Sequence, residues 1–159
     1  MVMDGWVGQV VFIQIAPSAR EKLVSVQQVQ AVAGEGLESD RYFKKMGTFS
    51  NKPGGGRQVT LIELESIDAL KRDLKVVLKP EETRRNIVTR GVPLNHLVNR
   101  QFGLGREVVF QGVRLCEPCD HLESLTFKGV SEALLHRAGL RADIIRGGTI
   151  RVGDPITPT

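Results

Sequence analysis

The chain is 159 residues long, 41% hydrophobic and 25% charged, with 22 Lys and Arg against 18 Asp and Glu and a formal net charge of +4. That length suits a single domain, residues 1–159, because one core serves chains up to roughly 250 residues. No apolar run approaches the roughly 18 residues that span a membrane, no block of basic residues forms a polycationic tail, and one Trp with one Tyr makes no stacking platform for single-stranded nucleic acid.

Neither a membrane nor a nucleic acid is therefore the expected partner. Arg outnumbers Lys, and Arg binds phosphate and carboxylate bidentately where Lys cannot, so a small anionic ligand is the better expectation. Any single arginine, taken alone, reads as solvated surface. The stretch Met1 to Gly5 holds an acid and no basic region, and the apolar run Val10 to Ile15 is short for a signal peptide. A cytoplasmic location is expected.

In chain order, Gly8 to Ala16 is almost wholly apolar and stops at Pro17, as a buried strand does. From Val24 to Ala33, Val29, Ala31 and Ala33 alternate with Gln28 and Gln30, giving one dry and one polar face. Gly34 to Gly56 is a long glycine-rich loop, of a length that is usually functional or disordered. Arg57 to Ile62 is a short strand. Glu63 to Leu74 is a helix, with Leu64, Ile67, Leu70 and Leu74 on one face and acids in the first turn. Asn86 to Thr89 is a strand, and Pro93 opens a helix through Asn99. Glu107 to Leu115 is a strand with a bulge or bend at Gly112. Val130 to Ala138 is a helix stopped by Gly139. Arg141 to Arg146 and Thr149 to Val152 flank Gly147-Gly148 as a two-residue hairpin. Six or seven strands with three short helices, in no regular alternation, predict a mainly β fold: a closed or strongly bent β-barrel with a few inserted helices.

Three clusters carry potential chemistry. The first is Cys116-Glu117-Pro118-Cys119-Asp120-His121. One cysteine pair makes no disulfide framework, and a tetrahedral zinc site lacks half of its usual double Cys-x-x-Cys. A redox dithiol would place Cys116 at a helix N-terminus, whereas here it ends a strand. A single reactive or ligating thiolate at Cys119, with Cys116 a small buried residue, is the third reading. Burial of both thiols in the core stands beside these on equal terms. The second cluster is Glu82-Thr83-Arg84-Arg85-Asn86. On a strand, Arg84 and Asn86 face one way and Arg85 the other, so Arg84 and Asn86 form the candidate oxyanion pair; a solvated basic edge is the plainer alternative. The third is Arg57, with Asp40 and Arg41 in the preceding loop, where glycines admit close backbone approach or simply form a surface loop. His96 and His136 fall on predicted helices and read as surface.

Taken together, Gly36-Leu37-Glu38-Ser39-Asp40-Arg41, Arg57-Gln58-Val59-Thr60-Leu61-Ile62, Glu82 to Gly91 and Leu115-Cys116-Glu117-Pro118-Cys119 resemble a MOSC domain, the domain at the C-terminus of molybdenum cofactor sulfurases. The resemblance runs from about Val7 to Ile156. It implies a barrel-like β fold and binding of the molybdenum–pyranopterin cofactor (molybdopterin). It also implies a molybdenum-ligating, catalytic thiolate at Cys119, not Cys116. Arg84 and Asn86 match the family's Arg-x-Asn, while Arg57 and the Asp40 turn match other pocket-lining segments. Ser39 departs from the family's usual glycine, and Tyr42 stands where some relatives carry His.

Relatives that reduce N-hydroxylated compounds make such a reductase the first functional expectation, with a small N-hydroxylated substrate and a separate electron-transfer protein. A sulfur or cofactor carrier using a Cys119 persulfide, fed by a sulfur-donor protein, is the second. A zinc-binding or redox Cys-x-x-Cys interaction module is the third. With neither a desulfurase nor a ferredoxin-like unit in these residues, sulfur or electrons are expected from outside.

Overall fold

The computed structural model describes residues 5–43, 45, 55–118, 123 and 128–159. The first strand, β1 (Gly8–Ile15), changes partner along its length. Gly8 and Gln9 pair with β11 (Pro155–Pro158), Gln9 to Ile13 pair with β6 (Ile87–Arg90), and Ile13 to Ile15 pair with β2 (Val24–Val26). A register shift between Val10 and Phe12 accompanies the change, as a bulge bends a strand and increases its twist. This is the seam at which the sheet closes. The barrel runs β1, β6, β5 (Val59–Glu63), β9 (Leu140–Arg146), β8 (Val108–Leu115), β7 (Gln101–Leu104), β11 and back to β1. Barrel neighbours are antiparallel except β5 and β6, which are parallel. A parallel pair needs a crossover, supplied by helix α1 (Leu64–Leu74). A three-stranded sheet of β10 (Gly148–Arg151), β3 (Gln28–Val32) and β4 (Gly36–Leu37) lies beside the barrel.

Two cores follow from the alternation of side chains along the strands. Val59 and Leu61 of β5 and Ile87 of β6 point into the barrel. There they join Phe102 and Phe110, whose rings meet edge to face at 5.8 Å. Val29, Ala31 and Ile150 of the small sheet belong to the same core. Ile62 and Val88 point outward and are covered by Ile67 and Leu70 of α1 and by the short helix α2 (Val130–Ala133) with Leu134 and Ala138.

The mainly β barrel matches the sequence expectation, and the bulge near Gly112 is present as a register shift between Gly112 and Arg114. Four elements differ. Gly147-Gly148 is no hairpin turn, because β10 pairs with β3 and not with β9; its buried Ile150 joins Val29 in the core. The helix from Pro93 reduces to one 3-10 turn, Leu94–His96, because Asn99 (φ 63°) turns back so that its N–H donates to the Gly112 carbonyl. The helix over 130–138 stops after Ala133, and His136 takes a left-handed φ of 62°. Gly139 (φ 108°) consequently serves not as a helix stop but at the entry to β9, where a Cβ would overlap the Leu61 carbonyl. Strands β7 and β11 carry no sequence signal of their own: one is four residues with a glycine, the other begins and ends in proline. No helix among the described residues is long and apolar enough to cross a membrane.

At the N-terminus of α1, Glu63 lines a cleft of about 450 Å³ with Trp6, Glu65 and Gly91 to Pro93. Burial, reinforced by the neighbouring Glu65, raises its pKa from 4.5 to about 7, against a lowering hydrogen bond from the Leu94 backbone. The folded protein therefore binds a proton more tightly here than the unfolded chain does, and stability falls as pH rises from 4.5 to about 7. Melting temperature measured across that window should decline, and Glu63→Gln should remove this component and melt higher than the parent at pH 8.

Candidate functional site

At one end of the barrel the last residues of β1 lie beside the first of β5 and β6. Fully buried Asn86 lies among them. Its Oδ1 accepts from the Thr60 N–H at 3.1 Å and from Thr60 Oγ1 at 3.2 Å, and its Nδ2 donates to the Gln14 carbonyl at 3.1 Å. Buried Gln14 donates in turn to the carbonyls of Arg85 (2.9 Å) and Pro80 (3.0 Å). Buried polar groups bonded across strands in this way fix one arrangement of the strands.

The expectation that Arg84 and Asn86 share a strand face is not met. β6 begins only at Ile87, and Arg84 ends the 3-10 turn Pro80–Thr83 with a left-handed φ of 62°. Its guanidinium donates to the carbonyls of Ala19 (3.1 Å) and Glu21. Burial, and then Arg41 nearby, lower its pKa to about 10, so it remains a cation at neutral pH. Arg84 also lines a cavity of about 370 Å³ with Lys22, Leu23, Lys79, Glu81 and Glu82. Arg85 runs the other way, donating to the carbonyls of Ala138 (2.8 Å) and Cys116 (3.1 Å).

Asp40 is completely buried. Its Oδ1 accepts from the Ala16 N–H (3.0 Å) and Arg41 Nη1 (3.1 Å), and its Oδ2 from the Tyr42 N–H (3.3 Å). Arg41 also donates to the Arg84 carbonyl at 3.1 Å and lies 4.6 Å from the centre of the Tyr42 ring. Asp40 thus orients Arg41, which steadies the Arg84 turn. Ser39, immediately before it, holds a left-handed φ of 68°, a conformation that glycine adopts without the steric cost a Cβ brings.

Arg57 belongs to a neighbouring group. Burial is the largest cause lowering its pKa, followed by the charges of Arg114 and Arg141, while Tyr42 and Cys116 act in the opposite direction. Arg114 and Arg141 escaped the sequence reading because they lie on different strands, far apart in the chain; only the β8–β9 register sets them opposite one another. Cys116 is buried, and its N–H donates to the Gly139 carbonyl at 2.7 Å. Cys119, Asp120 and His121 lie outside the described residues. Among those described, no three His, Cys, Asp or Glu side chains are placed to hold a metal ion. His136 is a surface residue 3.2 Å from Glu117.

A family model described as the MOSC domain matches residues 47–157, well over half of the chain. The chain belongs to the MOSC domain family. Solved structures agree with this in fold. YuaD from Bacillus subtilis superposes with a TM-score of 0.78 at 18% identity, over 95% of this chain and 96% of that one. YiiM from Geobacillus stearothermophilus gives 0.70 at 14% identity, over 96% and 75%, and YiiM from Escherichia coli 0.66 at 14%, over 95% and 69%. At these identities the likeness concerns the fold. No curated protein matches the chain in sequence. The MOSC family is linked to molybdenum cofactor binding.

Within this MOSC domain, Asp40 neutralises a buried guanidinium. Asp40→Ala would leave Arg41 without that carboxylate and is expected to cost about 3–5 kcal/mol in chemical denaturation. Asp40→Asn, which retains an acceptor for the two backbone N–H groups, should cost less. Ser39→Gly should stabilise by about 1 kcal/mol in the same measurement.

Proposed function

We propose that this MOSC domain binds the molybdenum–pyranopterin cofactor at the arginine-rich barrel end and there reduces N-hydroxylated compounds. The observation behind this reading is a coincidence of position. Arg41, Arg57, Arg84, Arg85, Arg114 and Arg141 gather where the segment leading to Cys119 leaves the sheet, with the Cys116 carbonyl bonded by Arg85. The donor set suits the cofactor, whose phosphate is anionic and whose pterin ring carries amide-like donors and acceptors. The cavity at Arg84, about 370 Å³, falls within the roughly 300–1,000 Å³ usual for ligand pockets. It pairs three cations with two carboxylates, so that phosphate oxygens and ring N–H groups would both find partners.

In this reading Arg84 and Arg57 hold the cofactor, while Asn86 and Asp40 hold the backbone and the guanidiniums around it. Cys119 supplies the thiolate ligand, a soft donor suited to a metal with sulfur ligands. Bound, the cofactor supplies a two-electron redox centre. The net change is conversion of an N-hydroxylamine, two electrons and two protons to an amine and water, the electrons coming from a separate electron-transfer protein. The arginines also favour anionic forms of ligand and exclude free cations from the site.

The test is to purify the protein from a host that makes the cofactor and to measure molybdenum and pterin per chain. Near one of each is expected, together with hydroxylamine reduction when a chemical electron donor is added. Arg84→Gln should lower cofactor content about tenfold, and Cys119→Ser should abolish turnover. Cofactor bound without turnover would favour the carrier. Absence of both molybdenum and pterin would overturn the reading.

A further inference from the structure

The crossover from β5 to β6 comes to the surface where α1 ends. Lys75 takes a left-handed φ of 59° there. Its N–H donates to the Lys71 carbonyl at 3.2 Å, and that of Val76 to the Leu70 carbonyl at 3.2 Å. Glycine usually fills such a position, because a Cβ carries a steric cost in it. Val76 and Leu78 then pack against the outer core, and Val77 between them points away. Leu74 is 51% exposed and Val77 69%. No other two exposed large apolar side chains among the described residues lie within four positions of one another. Isolated exposed apolar residues are ordinary, whereas adjoining ones bear on contact with a partner.

Cations surround this pair. Lys71, Arg72, Lys75 and Lys79 are all exposed. The one acid of the same stretch, Asp73, is taken up by Arg72, through Nε at 2.6 Å and Nη2 at 2.9 Å, and by Arg137 at 3.6 Å. Lys71, Lys75 and Lys79 form no ion pair among the described residues. The helix dipole accounts for cations in the last turn. It accounts neither for Lys79, which lies beyond the helix, nor for the apolar pair among the cations. Glu81 and Glu82 follow and line the Arg84 cavity with Lys79, and Glu82 Oε1 accepts from the Lys79 N–H at 2.9 Å. Because β6 runs parallel to β5, α1 leads back toward the end where both strands begin, and Lys79 joins this surface to the cavity.

We propose that the end of α1, from Lys71 to Lys79, is a docking surface for an acidic segment of a partner protein. The partner's carboxylates meet Lys71, Lys75 and Lys79, and its apolar side chains cover Leu74 and Val77. Charge complementarity selects this partner, and an apolar centre within a polar rim is the ordinary anatomy of a protein interface. A lipid surface is the poorer match, since this stretch has no Trp or Tyr to sit among headgroups and contains a carboxylate. The docking surface does not rest on the function proposed above, although a partner bound here stands beside the cavity assigned to the cofactor.

The probe is a fluorescein-labelled helical peptide with leucines along one stripe and glutamates flanking them, titrated into the full chain and followed by fluorescence anisotropy. Binding is expected and should weaken as potassium chloride rises. The same peptide with glutamine in place of glutamate should bind about tenfold more weakly. Lys71→Gln combined with Lys75→Gln should also weaken binding about tenfold. Leu74→Ser combined with Val77→Ser should weaken it about fivefold while keeping the salt dependence. Arg106→Gln, which removes a charge from the exposed turn between β7 and β8, should bind as the parent does, and circular dichroism verifies that each variant is folded. Parent protein that binds the acidic peptide no better than the glutamine peptide, or folded lysine variants that bind as the parent does, would overturn the docking surface. Sedimentation of the parent with vesicles of phosphatidylcholine and phosphatidylserine, lost in the lysine variants and not competed by the acidic peptide, would assign the patch to lipid and overturn it equally. Cofactor content is measured separately, so either outcome leaves the proposed function to its own test.

Discussion

The Asn86 side chain joins three strands at the point where β1 ends and β5 and β6 begin. Its Oδ1 holds Thr60 of β5 and its Nδ2 holds Gln14 of β1, while Gln14 and Asn86 also meet through their backbones at 2.6 Å. This is where the crossover through α1 returns the chain to the sheet beside β5, parallel to it. Parallel pairing is set by a long connection and not by a tight turn, so the register at this junction needs another determinant. A buried amide with three partners provides it, because a slip of one residue would leave several buried polar groups unpaired.

The arginines take their directions from that junction. Arg84 and Arg85 precede Asn86, and the left-handed turn at Arg84 sends them apart: one toward the 19–21 loop, the other toward Ala138 and Cys116. Buried guanidinium is costly unless its N–H groups find acceptors, and here most acceptors are main-chain carbonyls. Each of these arginines therefore pins a loop. Asp40 is the carboxylate set directly on Arg41, and among the described residues the arginines here outnumber the carboxylates bonded to them. A field of one sign in a partly enclosed region concentrates counter-ions, which supports the proposal of an anionic ligand here.

Much of the architecture was legible in the sequence. The apolar run of β1, the amphipathic period of α1 and the valine-rich β8 define themselves locally, because hydrophobic spacing reports which face is buried. Elements whose conformation answers to distant partners were not legible. Gly147-Gly148 has hairpin chemistry, but the buried Ile150 finds β3 and not β9. The 130–138 segment has helical composition, but it must unwind to bring Gly139 against Leu61. β7 and β11 are strands only because closing the barrel demands partners for their neighbours.

The candidate site divides along the same line. The sequence by itself determined which residue types were at hand: the Arg-rich 84–86 motif, the Asp40 turn, Arg57 after the glycines, and a Cys-x-x-Cys arm that ends in Cys119. Its motifs also identified the MOSC family, which a model over residues 47–157 establishes. Only the tertiary structure decided how those residues are used. It made Asn86 a strut and Arg84 a cavity wall. It also brought Arg114 and Arg141, 27 positions apart by their numbering, into one cross-strand pair. Local spacing fixes what a side chain can do, but a bulge, a register and a crossover fix what it meets, and these arise from packing between segments that no short window of sequence contains.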